Sequence, residues 1–329
     1  PLPVRRSTVG GAVPGDKVRF AVKRNKQGDW TAGILTVYGA ADSAKSSADA
    51  IIDSRGIPYV FPEEVFAQAE ALRKAGLSAK ELEGREDLRA LPLFTIDGRD
   101  AKDLDDAVSL ERTADGWVLG VHIADVSHYV QADTPLDVEA RQRGTSVYFA
   151  DRVIPMLPEQ LSNGLCSLNP GETRRCMTCD VYLDEDWRPV GYDLYPALMR
   201  SCARLTYNQV LDALQGVPLG ASGTLDGLKG CATGQGIDDA IMQRVEILSD
   251  FAQARIACRQ AAGGLDFEFP EARVILDGSG KPCGVDLRVK NQATSLVEEA
   301  MILANEVVAA HLHERDFPAL YRVHEKPSP

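Results

Sequence analysis

The sequence predicts an α+β fold, and three observations carry that expectation. The first is size and composition. The chain has 329 residues, 44% apolar and 26% charged, which suits one large core with a smaller appendage. The second is texture, because strand-like runs closed by tight turns fill the stretch from Leu91 onward. The third is order. Strand runs and helix runs come in blocks, without the regular alternation of a doubly wound parallel sheet, and no internal repeat is visible.

The elements follow in chain order. Residues 14–40 form a small β piece: Gly15-Asp16 is a turn, 18–22 alternates apolar and basic, and Gln27-Gly28-Asp29 is a hairpin turn before a strand over 30–37. Two or three strands are too few for an independent barrel. Residues 39–50, rich in Ala, Ser and Asp, read as a linker. Pro62-Glu63-Glu64 opens a helix with Val65, Ala69 and Leu72 at helical spacing, and a second short helix covers 79–82. Phe94-Thr95-Ile96 is a strand, and 107–110 with 117–123 make a hairpin around Ala114-Asp115-Gly116. Another antiparallel pair spans 175–200 around Asp186-Trp187-Arg188-Pro189. Helices are expected over 206–214, 237–261 and 293–313, with strands over 273–275 and 284–287 before the last helix.

Composition excludes several classes. The net charge of −12 argues against a protein that coats nucleic acid through a global positive field, although a local basic channel stays open. Within residues 1–40 the sign reverses: Arg5, Arg6, Lys17, Arg19, Lys23, Arg24 and Lys26 face only Asp16 and Asp29. No apolar run is long enough to span a bilayer, and no signal-peptide pattern opens the chain. Seven irregularly spaced cysteines argue against a disulfide framework. A cytoplasmic protein is expected.

The chemistry concentrates in one segment. Asp97 is followed by Asp103, Asp105 and Asp106, the last three within four residues. Carboxylates this dense repel one another unless a cation neutralises them. Their hard oxygens select Mg²⁺, with Mn²⁺ as the alternative, over zinc. Such a site suits phosphodiester hydrolysis, in which two ions clamp the attacking and leaving oxygens. The competing interpretation is a solvated acidic loop, as most charge runs are. An EF-hand loop fails on register, because no frame starting at Asp97, Asp100 or Asp103 places Gly at the sixth position and Glu at the twelfth.

The run from Thr95-Ile96-Asp97 to Asp103-Leu104-Asp105-Asp106-Ala107 resembles the active-site signature of the RNase II/RNase R family, its RNase R branch most closely. The resemblance continues through 119–130, Gly144-Thr145-Ser146-Val147-Tyr148-Phe149, 153–158, 162–170 and 297–305, in family order. It implies an RNB-type catalytic core of antiparallel and mixed sheet with surrounding helices. The implied activity is a metal-dependent, processive 3′-to-5′ exoribonuclease that degrades single-stranded RNA to nucleoside 5′-monophosphates. Asp97, Asp103 and Asp106 would then hold metal directly or through water, together with Asp105, the residue most needed for the chemical step.

The resemblance also implies RNA contacts. Tyr148 matches a tyrosine that stacks on terminal bases, where a packed core tyrosine is the ordinary alternative. Phe267 falls where the opposing aromatic is expected, with Phe269 as its neighbour in register. Glu298 and Asn305 lie seven apart and share one helix face, and a carboxylate accepting from a 2′-hydroxyl would favour RNA over DNA. Glu299 is expected to be solvated. His122 and His128 flank Asp125, and His122 inside a strand is read as a hydrogen-bonded core residue. Cys176-Met177-Thr178-Cys179 is a lone CxxC pair, weak grounds for zinc. Arg141, Arg143, Arg152, Arg174 and Arg175 are candidate backbone contacts.

Three regions are expected: 1–40 as the tail of an OB-type cold-shock domain, 41–88 as a linker with short helices, and 89–329 as the N-terminal part of the RNB catalytic domain. The family's later Ser-Pro-x-Arg motif, whose arginine holds the scissile phosphate, is not in this sequence, and neither is its S1 domain. The chain is therefore expected to be a monomeric fragment with impaired activity unless the missing C-terminal segment is supplied. The competing function is a catalytically weak RNA-binding or regulatory module that keeps the fold. A small-molecule phosphohydrolase is disfavoured by Tyr148 and the basic N-terminus.

Overall fold

The computed structural model describes residues 2–4, 9–25, 28–216, 239–265 and 270–321. Its elements begin with β1 (Asp16–Arg24), β2 (Trp30–Ala40), α1 (Ala44–Arg55) and α2 (Glu63–Ala75), then a 3₁₀ turn over Ala79–Gly84. The next set is β3 (Glu86–Leu88), β4 (Phe94–Asp97), β5 (Asp106–Arg112), β6 (Trp117–Ala124), α3 (Val126–Tyr129) and α4 (Pro135–Arg143). Two short strands, β7 (Val147–Tyr148) and β8 (Val153–Ile154), precede β9 (Thr173–Leu183), β10 (Pro189–Arg200) and β11 (Ala203–Thr206). The remainder is α5 (Tyr207–Leu214), α6 (Asp239–Ala261), β12 (Glu271–Leu276), β13 (Pro282–Arg288) and α7 (Gln292–Glu314).

The chain divides into two compact units. One comprises Pro1–Ala69, Ala132–Pro158 and Phe269–Val289; the other comprises Glu70–Gln131, Glu159–Glu268 and Lys290–Pro329. The first unit holds the β1–β2, β7–β8 and β12–β13 ribbons, each antiparallel. The stretch 39–50, expected as a linker, is helical from Ala44 onward. Its composition hid an amphipathic pattern: Ser46, Ala48 and Ile52 are buried, and the Ser46 hydroxyl donates to the Tyr38 carbonyl of β2 at 2.9 Å.

The second unit is built on a seven-stranded mixed sheet of order β11-β4-β5-β6-β9-β10-β3. The inner pairs β4–β5, β5–β6, β6–β9 and β9–β10 are antiparallel, while both edge strands, β11 and β3, join in parallel. Alternation decides what each face does. Phe94, Ile96, Val108, Leu110, Leu119, Val121, Cys179, Val181 and Leu183 point to one face and form a continuous core with α5, α6 and α7. The other face buries polar groups instead, among them Ser109, His122 and Thr178. The α+β expectation is met, with α5, α6 and α7 packed on one face of a largely antiparallel sheet.

Candidate metal and hydrolytic site

Four aspartates come together because of strand topology. β4 and β5 are antiparallel neighbours, so the end of one lies beside the beginning of the other. Asp97 is the last residue of β4 and Asp106 the first of β5, where it faces Ile123 across the β5–β6 ladder. The connecting loop carries Asp103 and Asp105 on either side of Leu104, whose side chain is 1% exposed. Burying Leu104 turns its two acidic neighbours away from the interior. Asp97 Oδ1 accepts from the Gly98 N–H at 2.6 Å, and the Ala124 N–H donates to the Asp105 carbonyl at 2.9 Å.

The carboxylates feel one another. Asp105 keeps an open face to solvent but is crowded by protein. Desolvation is the main cause that raises its pKa, and the charges of Asp103 and Asp97 raise it further. Asp106 is pushed up to about 6, by burial first and then by Asp97 and Asp105. The site is therefore a concentration of negative charge with an open side to water, which is where a cation gains most. Among the described residues no three His, Cys, Asp or Glu side chains are gathered into a closed ligand group. The all-carboxylate donor set fits Mg²⁺ or Mn²⁺, since Mg²⁺ retains several waters and needs only one or two direct carboxylates.

Other residues singled out from sequence separate into surface and interior. Tyr148 stands on the short strand β7 opposite Val153 and is 68% exposed, so it is no core tyrosine. In the same unit a cleft of about 890 Å³ is lined by Arg19, Tyr38, Lys45, Tyr59 and Arg152. Its cations are paired, Arg19 with Asp53 and both Lys45 and Arg152 with Asp49. Phe267, with its neighbour Phe269, lies outside the described residues. On α7, Glu298 is half-buried and pairs with Lys290 at 2.8 Å, and Asn305 is exposed.

Glu299 corrects the sequence expectation. It is 1% exposed and lies 2.7 Å from the Arg259 guanidinium. It falls on the stripe of Leu296 and Leu303, three and four residues away, which faces the core. Burial raises its carboxyl pKa, and Arg259 opposes that rise. Two of the arginines expected at the RNA backbone are also interior. Arg175 is 3% exposed and donates to the Tyr129 hydroxyl and the Gly76 carbonyl. The Arg143 side chain is 2% exposed, pairs with Glu139 and packs 3.6 Å over the Phe61 ring. Arg141, Arg152 and Arg174 are engaged with Asp137, Asp49 and Glu172.

His122 is the core histidine that its strand position predicted. It is fully buried, with Nε2 3.0 Å from Ser109 Oγ and Nδ1 3.0 Å from Thr178 Oγ1, and burial lowers its pKa to about 4. Cys176 and Cys179 lie three apart on β9 and so point to opposite faces of the sheet, where one ion cannot take both. Asp125 pairs with Arg85 at 2.5 Å and caps α3.

The acidic cluster where β4 ends and β5 begins, set on a largely antiparallel sheet packed by helices, defines an α+β protein with a concentrated carboxylate site. The chain belongs to the RNB domain family, which matches residues 85–329. It is 41% identical to Ribonuclease R of Escherichia coli over 299 residues, 90% of this chain and 35% of that protein. It is 39% identical to Ribonuclease R of Thermotoga maritima over 331 residues, 99% of this chain and 44% of that one. The solved structure of Mycoplasma genitalium RNase R in complex with ribose-methylated single-stranded RNA superposes with a TM-score of 0.83 at 29% identity. That match covers 99% of this chain and 49% of the other. The chain thus spans between a third and a half of the length of these relatives.

Proposed function

We propose that this chain carries the metal-assisted core of a 3′-to-5′ exoribonuclease that hydrolyses single-stranded RNA processively to nucleoside 5′-monophosphates. The observation that carries it is the set of four aspartates at adjoining strand ends and in the loop between them, two with carboxyl pKa values raised by burial and then by the neighbouring charges, in a chain of the RNB family. The RNase R relatives, one of them solved with RNA bound, support the substrate class.

In this reading Asp97, Asp103 and Asp106 hold Mg²⁺, or Mn²⁺, directly or through water. The bound ion supplies charge stabilisation at the phosphate and a more acidic water. Asp105 takes and holds the proton of the attacking water, a role suited to a carboxyl whose pKa is raised, by burial first and then by Asp103 and Asp97, and that is open to solvent. The exposed Tyr148 ring stacks on a base, with Phe267 as the opposing aromatic. Glu298 accepts from a 2′-hydroxyl, with Asn305 on the same helix face. Residues 1–40 are the tail of a cold-shock domain, 41–88 connect it, and 89–329 are the catalytic part. We place the protein in the cytoplasm as a monomer. No described helix is long and apolar enough to cross a membrane.

The test uses single-stranded RNA labelled at either end, with Mg²⁺, comparing wild type and Asp105→Asn in a chain extended to the length of the RNase R relatives, because turnover by this chain alone is expected to be impaired. The 3′ label is released at once as mononucleotide, while 5′-labelled RNA shortens from its far end with full-length RNA persisting beside the products. Asp105→Asn slows turnover by about a hundredfold or more while RNA is still bound. Persistence of both labels on intact RNA would sink the enzymatic reading. It would leave the second one, an RNA-binding module without turnover, which the lack of a closed three-ligand group among the described residues favours.

A further inference from the structure

The loop between β4 and β5 has no regular secondary structure, yet side chains from distant segments hold it on two sides. Arg204 on β11 sends Nη2 to the Arg99 carbonyl at 3.0 Å and to the Ala101 carbonyl at 2.5 Å. Ser167 is fully buried, and its hydroxyl accepts from the Leu104 N–H at 3.1 Å while donating to the Lys102 carbonyl at 2.8 Å. The neighbouring Leu168 N–H donates to the Leu104 carbonyl at 2.8 Å. Asp103 therefore sits between two residues whose backbones are tied down, and Asp105 follows directly on a third tie.

A loop left to itself would sample many conformations, and the crowded carboxylates in it and at its two ends would drive it apart. A two-point clasp from Arg204 and a donor–acceptor bridge from Ser167 oppose both tendencies. Both act on main-chain atoms, so the clasp is indifferent to which side chains the loop carries. Neither residue is among the carboxylates.

We propose that Arg204 and Ser167 are positioning residues that set the metal affinity of the site by fixing the backbone that aims Asp103 and Asp105. The proposal rests on the metal-site reading above, and the experiment separates the failure of either. Amide hydrogen exchange reports loop order without metal, and Mn²⁺ binding followed by electron paramagnetic resonance reports the site. In Arg204→Met the Ala101 amide exchanges about tenfold faster, and in Ser167→Ala the Leu104 amide does. Mn²⁺ binds about ten- to a hundredfold more weakly to each, the range seen when groups behind metal ligands are removed. Arg204→Lys, which keeps the charge but cannot bridge both carbonyls, recovers only part of the affinity.

Arg204 is half-buried at a sheet edge, so its variants keep the fold even if Ser167→Ala disturbs the interior. Mn²⁺ affinity within about twofold of wild type in Arg204→Met overturns the proposal, since groups behind metal ligands are worth more than that. Full recovery by Arg204→Lys also overturns it, by making charge rather than the clasp the cause. Should wild type bind no Mn²⁺, the metal reading falls and takes the affinity claim with it. Unchanged exchange at Ala101 and Leu104 would then remove the clasp as well.

Discussion

Asp106 holds its proton up to a pH of about 6, because burial and the charges of Asp97 and Asp105 all oppose its ionisation. A divalent ion must displace that proton, so Mn²⁺ affinity is expected to rise with pH through about 6 and level off above it. Titrations at a series of pH values check this, and Asp106→Asn flattens the profile. The metal-free protein responds in the opposite direction. A carboxyl raised in the fold stabilises it fully below the ordinary carboxylate range, and that contribution is lost as pH rises through the folded value. His122 has the other sign: held neutral by burial, its contribution is present above the ordinary imidazole range and lost as pH falls through about 4. The aspartates were legible in the sequence because five acidic residues among the ten from Asp97 to Asp106 need a reason. Arg204 and Ser167 were not, since each lies more than sixty residues from the loop it holds and works through main-chain atoms that any sequence would supply.

At the scale of elements, the polar face of the sheet depends on a close approach that only glycine permits. A Cβ on Gly120 of β6 would lie 2.3 Å from Ser109 Oγ, 2.8 Å from His122 Nε2 and 3.0 Å from Asp180 Oδ1. Ser109 and His122 are interior and held by their own hydrogen bonds, with little freedom to retreat. Gly120→Ala is therefore expected to destabilise the protein by about 1–3 kcal/mol, the usual cost of overpacking. Chemical denaturation measures it, and an unshifted midpoint would show that the face can relax. The helices α2, α5, α6 and α7 were legible from apolar spacing, and the β5–β6 and β9–β10 hairpins from their turns. α1 was not, because its Ala, Ser and Asp content reads as linker until β2 offers a surface to cover. The edge strands β3 and β11 were also hidden, since three or four residues carry too little alternation.

At the scale of the whole molecule, an ion that binds only the folded site must raise its stability by mass action. Mn²⁺ at a hundred times its dissociation constant should add about 2.7 kcal/mol, reversed by chelator and lost in Asp103→Asn. Thermal unfolding with and without the ion reads it, and an unmoved midpoint would argue against a site formed by the fold. The fold class, the run of aspartates and the likeness to the RNB family are all written in local spacing, so the amino-acid order suffices for them. It takes the folded chain to make Glu299 interior and Glu298 not, to turn Arg143 and Arg175 inward, and to clasp the aspartate loop from two sides. Those outcomes depend on which distant surfaces meet, and a residue's own neighbours in the chain carry no record of that. The four aspartates are a sequence fact, and their common electrostatic field follows from the antiparallel pairing of β4 and β5.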